Sequence, residues 1–128
     1  MAAPRDPITT HVLDSTTGRP APSLPATLTL LSGIGEGSIF VGKTSSTNGR
    51  ISQWEQQGSQ SLEQIFSTLT TAEKPMVWSL RFETGSYWGK DKTFYPEVEV
   101  KFFVGHGEAH YHVPVLLGPW GYTTYRGN

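Results

Sequence analysis

The feature that most constrains this chain is a series of short segments in which polar and apolar residues alternate, broken at intervals of roughly ten residues by turn-forming clusters. Glu97-Val98-Glu99-Val100-Lys101-Phe102 is the clearest of them. A period of two puts Val98, Val100 and Phe102 on one face of a strand and the charges on the other. Met76, Trp78, Leu80 and Phe82 alternate with Val77, Ser79, Arg81 and Glu83 in the same manner, and Thr27-Leu28-Thr29-Leu30 repeats the pattern. Ile8 to Asp14, Ser38 to Thr44 and His110 to Leu117 add strands rich in β-branched or aromatic residues. The breaks fall at Thr17-Gly18-Arg19-Pro20, Ser32-Gly33-Ile34-Gly35, Asn48-Gly49, Thr84-Gly85, Gly105-His106-Gly107 and Leu117-Gly118-Pro119. Many short strands between regularly spaced turns imply an all-β, two-sheet β-sandwich. Helical spacing is confined to Ser61 to Leu69, where Ser61 can cap one short helix, and a second helical turn is expected over Ser86 to Lys92.

A length of 128 residues suits one domain, expected over 8–128 after an N-terminal tail at 1–7. Ten basic against eleven acidic side chains give a net charge of -1. With no lysine or arginine run, the electrostatic footprint of a nucleic-acid or anionic-membrane binder is missing. The absence of cysteine rules out a disulfide scaffold, a thiolate nucleophile and a cysteine-held zinc or iron–sulfur centre. No apolar run approaches the ~18 residues of a membrane span, and Met1 to Pro7 lacks the core of a signal peptide. A soluble, cytoplasmic protein is expected; Arg126-Gly127-Asn128 is not a Ser-Lys-Leu-type peroxisomal address.

Histidine supplies the candidate chemistry. His110 and His112 are two apart in a strand, so both rings leave the same face with Cα atoms about 6.5 to 7 Å apart. Such a pair can hold zinc or copper with His106 or Glu108 as a third ligand, can serve as acid–base groups, or can be surface residues without a task. Spacing leaves all three open. In Ile8 to Asp14, alternation puts Ile8, Thr10 and Val12 on one face and Thr9, His11 and Leu13 on the other, which taken alone favours a half-exposed strand histidine at His11. Arg50 leaves an Asn48-Gly49 tight turn and matters only if that turn aims it into a cleft. The C-terminus, Trp120 to Asn128, is aromatic where ordinary tails are polar, so it packs against something, as an edge strand or as the wall of a pocket.

Taken in order, His11-Val12-Leu13-Asp14, Thr17-Gly18-Arg19-Pro20-Ala21, Thr47-Asn48-Gly49-Arg50, Phe94-Tyr95-Pro96-Glu97, His110-Tyr111-His112-Val113-Pro114 and Gly121-Tyr122-Thr123-Thr124-Tyr125-Arg126-Gly127 resemble the 5-hydroxyisourate hydrolases, transthyretin-like enzymes of purine breakdown. The resemblance spans about residues 7 to 128. It implies a transthyretin-like sandwich of seven or eight strands, a homotetramer, and active sites in a channel between dimers. It also implies that His11, Arg50 and His112 are catalytic, that Tyr125 and Arg126 line the channel against substrate, and that no metal or cofactor takes part. In transthyretin, a ligand carrier, the matching histidines and arginine are replaced. The chain departs from the family pattern at Asn128, where serine is usual, at Gly118 and at Thr123, and the stretch from Ile34 to Lys43 is longer than the family leads one to expect.

The activity so implied opens the six-membered ring of 5-hydroxyisourate to give 2-oxo-4-hydroxy-4-carboxy-5-ureidoimidazoline. Water must add to a ring carbonyl and an amide-like nitrogen must leave, which requires a base, an oxyanion partner and a proton donor. A carrier that uses the same sandwich without catalysis is the competing expectation, and fold alone does not separate the two.

Overall fold

A computed structural model describes residues 4–70, 73–105 and 107–128. In chain order its strands are β1 (Ile8–Asp14), β2 (Arg19–Pro20), β3 (Pro25–Ser32), β4 (Ile39–Lys43), β5 (Arg50–Ile51), β6 (Glu55–Gln56), β7 (Met76–Phe82), β8 (Val98–Val104), β9 (Tyr111–Leu117) and β10 (Tyr122–Thr124). They form two sheets. One runs β10-β9-β1-β2, with β5 also paired to β1; the other runs β6-β4-β3-β7-β8. β1 and β9 lie parallel, with Ile8 opposite Tyr111 and Asp14 opposite Leu117. The sandwich expected from alternation is thus present, in more and shorter strands than expected because β2, β5 and β6 are two-residue pieces at sheet margins.

The inward faces are those that period two assigns. Ile8, Val12, Val113, Val115 and Leu117 of one sheet meet Leu28, Phe40, Trp78, Leu80 and Phe82 of the other, all buried. Trp78 sits between Phe40 and Phe66, at ring-centroid distances of 6.1 and 6.4 Å. The short helix α1 (Leu62–Ser67) inserts Leu62 and Ile65 into this core. Ser61 caps it in a reciprocal box: Gln64 N–H donates to Ser61 Oγ at 3.1 Å, and Ser61 N–H donates to the Gln64 side chain at 2.7 Å. Among the described residues no helix is long and apolar enough to cross a membrane.

One local expectation needs correction. The second helix, α2, occupies Thr84–Trp88 rather than Ser86 to Lys92. Tertiary bonds set its start: Thr84 Oγ1 donates to Tyr95 O at 2.9 Å and Gly85 N–H to Pro96 O at 2.8 Å. A Cβ at Gly85 would lie 2.8 Å from that Pro96 oxygen, so glycine is needed there. The strand expected over Ser38 to Thr44 is β4, Ile39–Lys43, paired with β3.

Asp14, at the end of β1, is buried and ties the sandwich together. Its carboxylate accepts from Thr16 N–H at 2.8 Å and from the Tyr87 hydroxyl at 2.8 Å. Burial, followed by the bond to Asp14 and its charge, pushes the Tyr87 phenol up to about 12. Tyr87→Phe removes a donor from a buried carboxylate and is expected to cost about 1–3 kcal/mol in urea unfolding.

Candidate active site

β1 runs through the middle of its sheet, and its register determines which distant residues become neighbours. Thr9 is opposite His112 and His11 opposite Pro114 on the β9 side, while His11 is opposite Arg50 on the β5 side. Opposed residues share a face, and Thr10 and Ile51, the next pair along, are buried inward. Thr9, His11, Arg50 and His112 therefore all leave the outer face. From strand spacing and rise, His11 and His112 are diagonal neighbours roughly 8 Å apart at Cα.

The Asn48-Gly49 turn delivers Arg50 to this face. Gly49 has φ +70° and sends its N–H to Ser45 O at 3.0 Å, while Arg50 N–H donates to Asn48 Oδ1 at 3.0 Å. Val12 N–H bonds Gly49 O at 2.9 Å and so stitches the turn to β1 beside His11. The residues 4–7 are held close by: Trp54 N–H donates to the Asp6 carboxylate at 2.7 Å and Asp6 N–H to Ser52 O at 2.7 Å.

Both imidazoles are biased towards the neutral form. Burial lowers the His112 pKa most, followed by the positive charge of Arg50 and smaller repulsions from His110, His11 and Arg5. His11 is lowered by burial and by Arg50, against an opposing contribution from the Asn48 backbone. His110 is lowered by burial and by Arg5. A neutral imidazole beside a fixed guanidinium is a base next to an oxyanion partner, the pairing that carbonyl hydration needs.

The C-terminal segment closes over β9. β10 pairs with β9 as an edge strand, and Gly127 N–H then bonds His112 O at 2.9 Å. A Cβ at Gly127 would sit 2.7 Å from His112 Cδ2 and 2.9 Å from Pro114 Cγ. Glycine there lets the tail lie directly against the histidine. Tyr125 and Arg126 share with His112 an apolar cavity of about 170 Å3, bordered by Phe102, Phe103 and Tyr111. Within one protomer Arg126 turns to other partners than Arg50 does: its guanidinium lies 4.9 Å from the Tyr111 ring centroid, and its Nη2 is 3.5 Å from Glu108. Arg50 borders a different cavity, with Lys43, Asn48 and Gln53.

Of the other sequence candidates, Glu108 is thus paired with Arg126, His106 lies outside the described residues, and among the described residues no three ligating side chains gather around a common point. His110 is joined to His112 through Thr9. Thr9 Oγ1 lies 2.8 Å from His112 Nδ1 and 3.0 Å from His110 Nε2, and the two rings stack at 6.4 Å. Sequence reasoning passes over Thr9, although alternation puts it on the His11 face.

The HIUase/Transthyretin family model matches residues 8–127. This chain belongs to that family. Within the HIUase/Transthyretin family, 5-hydroxyisourate hydrolase of Mus musculus is 39% identical, with all of both chains aligned. The probable 5-hydroxyisourate hydrolase of Schizosaccharomyces pombe is 35% identical over 94% of this chain and 90% of its own. Among solved structures, the Klebsiella pneumoniae 5-hydroxyisourate hydrolase superposes with a TM-score of 0.66 at 25% identity, covering 94% of this chain and 98% of that one. Sea bream transthyretin in complex with thyroxine gives 0.70 at 25% identity, covering 94% of each. The backbone of the HIUase/Transthyretin family thus accommodates both a hydrolase and a thyroxine binder, and the side chains on the outer face must distinguish them.

Proposed function

We propose that this chain hydrolyses 5-hydroxyisourate to 2-oxo-4-hydroxy-4-carboxy-5-ureidoimidazoline in urate degradation, using His11, Arg50 and His112. The observation that carries the reading is the β1 register, which puts two neutral-biased imidazoles and a guanidinium on one face of a chain whose full-length relatives are named hydrolases. His11 and His112 flank the reacting carbonyl, positioning water and handling its proton. Arg50 binds the electron-rich ring and stabilises the developing oxyanion. No side-chain nucleophile is required. Tyr125 and Arg126 contact substrate from the tail.

Phe103 of β8 and Trp120 of the β9–β10 connection are 70% and 71% exposed on one protomer, as expected of surfaces covered by other copies. A homotetramer with the site between dimers closes the face, excludes water and strengthens the Arg50 interaction. Sedimentation at micromolar concentration is expected to show four chains.

The test is ultraviolet-monitored decay of freshly made 5-hydroxyisourate with wild type and Arg50→Ala side by side. Wild type accelerates the decay and Arg50→Ala loses about two to three powers of ten of that acceleration. Binding without acceleration would make the protein a carrier. Prolonged chelation is expected to leave turnover unchanged; its loss, together with near-stoichiometric zinc, would replace the reading with a metal-dependent hydrolase.

A further inference from the structure

The proposed mechanism leaves unused the best-defined polar contact on the active face, the Thr9 hydroxyl between His112 Nδ1 and His110 Nε2. Thr9 is 5% exposed, so its hydroxyl partners are these two rings rather than bulk water. A hydroxyl carries one proton, and among the described residues the hydrogen-bond partners of Thr9 Oγ1 are these two ring nitrogens, so it donates to one ring while it accepts from the other. The protonation patterns of the two histidines are therefore linked. When Nδ1–H of His112 donates to Thr9, Thr9 donates to a bare Nε2 of His110, and the far nitrogen of His112 is free to act as a base. In the reverse arrangement that nitrogen carries a proton and is an acid.

We infer that Thr9 is a proton wire to His110, which stores the proton between the two halves of the reaction, so that His112 alone serves as both base and acid. The inference rests on the reading that His112 acts at the reacting carbonyl. In the first half, Nε2 of His112 takes a proton from water as the water oxygen bonds to the carbonyl carbon. Nδ1 of His112 passes its proton to Thr9 Oγ1, and the hydroxyl passes its own to Nε2 of His110. His112 ends neutral with its proton moved from Nδ1 to Nε2. His110 ends as imidazolium, its positive charge balancing the oxyanion. In the second half the oxyanion restores its C=O bond, the ring C–N bond breaks, and the leaving nitrogen takes the proton from Nε2 of His112. His110 returns its proton to Thr9, and Thr9 returns one to Nδ1. Every group is back where it began, and one proton has moved from water to the leaving nitrogen.

Arg50 acts on both His11 and His112 but is not among the charges acting on His110, where Arg5 acts as it does on His112, so moving a cation from His112 to His110 removes the Arg50 repulsion. His110 also borders a cavity of about 610 Å3 together with Arg5, Glu108 and Arg126. His11 is then left to orient water rather than to exchange its proton.

The test measures kcat, KM and a proton inventory in mixtures of light and heavy water for Thr9→Val, Thr9→Ser and His110→Gln. Valine keeps the branched shape and strand preference of threonine and puts a methyl in place of the hydroxyl. Thr9→Val is expected to lower kcat by about tenfold or more, with KM within about twofold, and to turn a curved inventory into a linear one. Thr9→Ser restores the hydroxyl and should recover most of kcat and the curvature. His110→Gln should behave as Thr9→Val does, and it decides the matter if Thr9→Val fails to fold. Wild-type kcat and a curved inventory in folded Thr9→Val, or in His110→Gln where the valine variant does not fold, overturn the wire; an inactive His112→Ala beside them leaves the His112 reading intact. A fully active His112→Ala would instead remove the reading on which the wire stands.

Discussion

Replacing His112 with alanine is expected to lower turnover of 5-hydroxyisourate by about two to four powers of ten, the usual loss when a positioned acid–base group is removed. The fold should survive. His112 is on the outer face of β9, its side-chain partner is the Thr9 hydroxyl, and the core-facing Tyr111 and Val113 beside it are untouched. Unchanged circular dichroism and native mass with lost turnover would support the assignment, and undiminished turnover would sink it. The pH profile adds a signed check. Burial first and Arg50 second hold the His112 pKa below the ordinary value near 6.5. The neutral base therefore persists on the acid side, and kcat/KM should begin to fall only below the pH at which free imidazole protonates. Arg50→Met removes one of the two leading causes, lets imidazolium form more easily, and should move that acid limb to higher pH in whatever activity remains. An acid limb that stays in place would mean that Arg50 does not act on the titrating group.

How much of this was legible in the sequence depends on how local the deciding forces are. β7, β8 and the inward face of β1 follow from period two, because one side of each strand must meet the core whatever its partner is. The α1 start follows from Ser61 and Gln64, a contact three residues long. The pairing of β1 with β9 is different. It joins Thr9 to His112 across 103 positions, and nothing in either segment names the other. The face that carries His11 was readable, but its neighbours were not, so the grouping of His11, Arg50 and His112 came from resemblance to a family rather than from spacing. Thr9 was missed for the same reason: a threonine in a strand is ordinary until the parallel register puts two imidazoles against it. The shift of α2 to Thr84 arose from bonds to the Tyr95 and Pro96 carbonyls, which local helical signals do not contain.

The turn that aims Arg50 yields the second large expected effect. Gly49 has φ +70°, and a Cβ there would lie 2.6 Å from Val12 O and 2.9 Å from Pro20 Cβ. The first of these is backbone in β1 and already accepts Ala21 N–H at 3.0 Å, so it cannot move without disturbing the β1–β2 connection. Gly49→Val therefore combines left-handed strain in a β-branched residue with a clash against a fixed atom. It should destabilise the domain by on the order of 3 kcal/mol, a drop of roughly 10 °C in Tm. Activity should fall by more than stability explains. The clash pushes the turn off β1, and Arg50 loses its place opposite His11. A displacement of about 1 Å at a charge-stabilising group can cost ~100-fold, so the loss should be evident well below the variant's Tm. Gly18→Ala is the matched control: Gly18 has the same φ of +70°, and a Cβ there would meet nothing within 4 Å. It should carry a strain cost of about 1 kcal/mol and wild-type kcat. Were Gly49→Val to lose stability yet keep full turnover when folded, the position of Arg50 would not depend on this turn. The link from an Asn-Gly dipeptide to oxyanion stabilisation would then fail at that step.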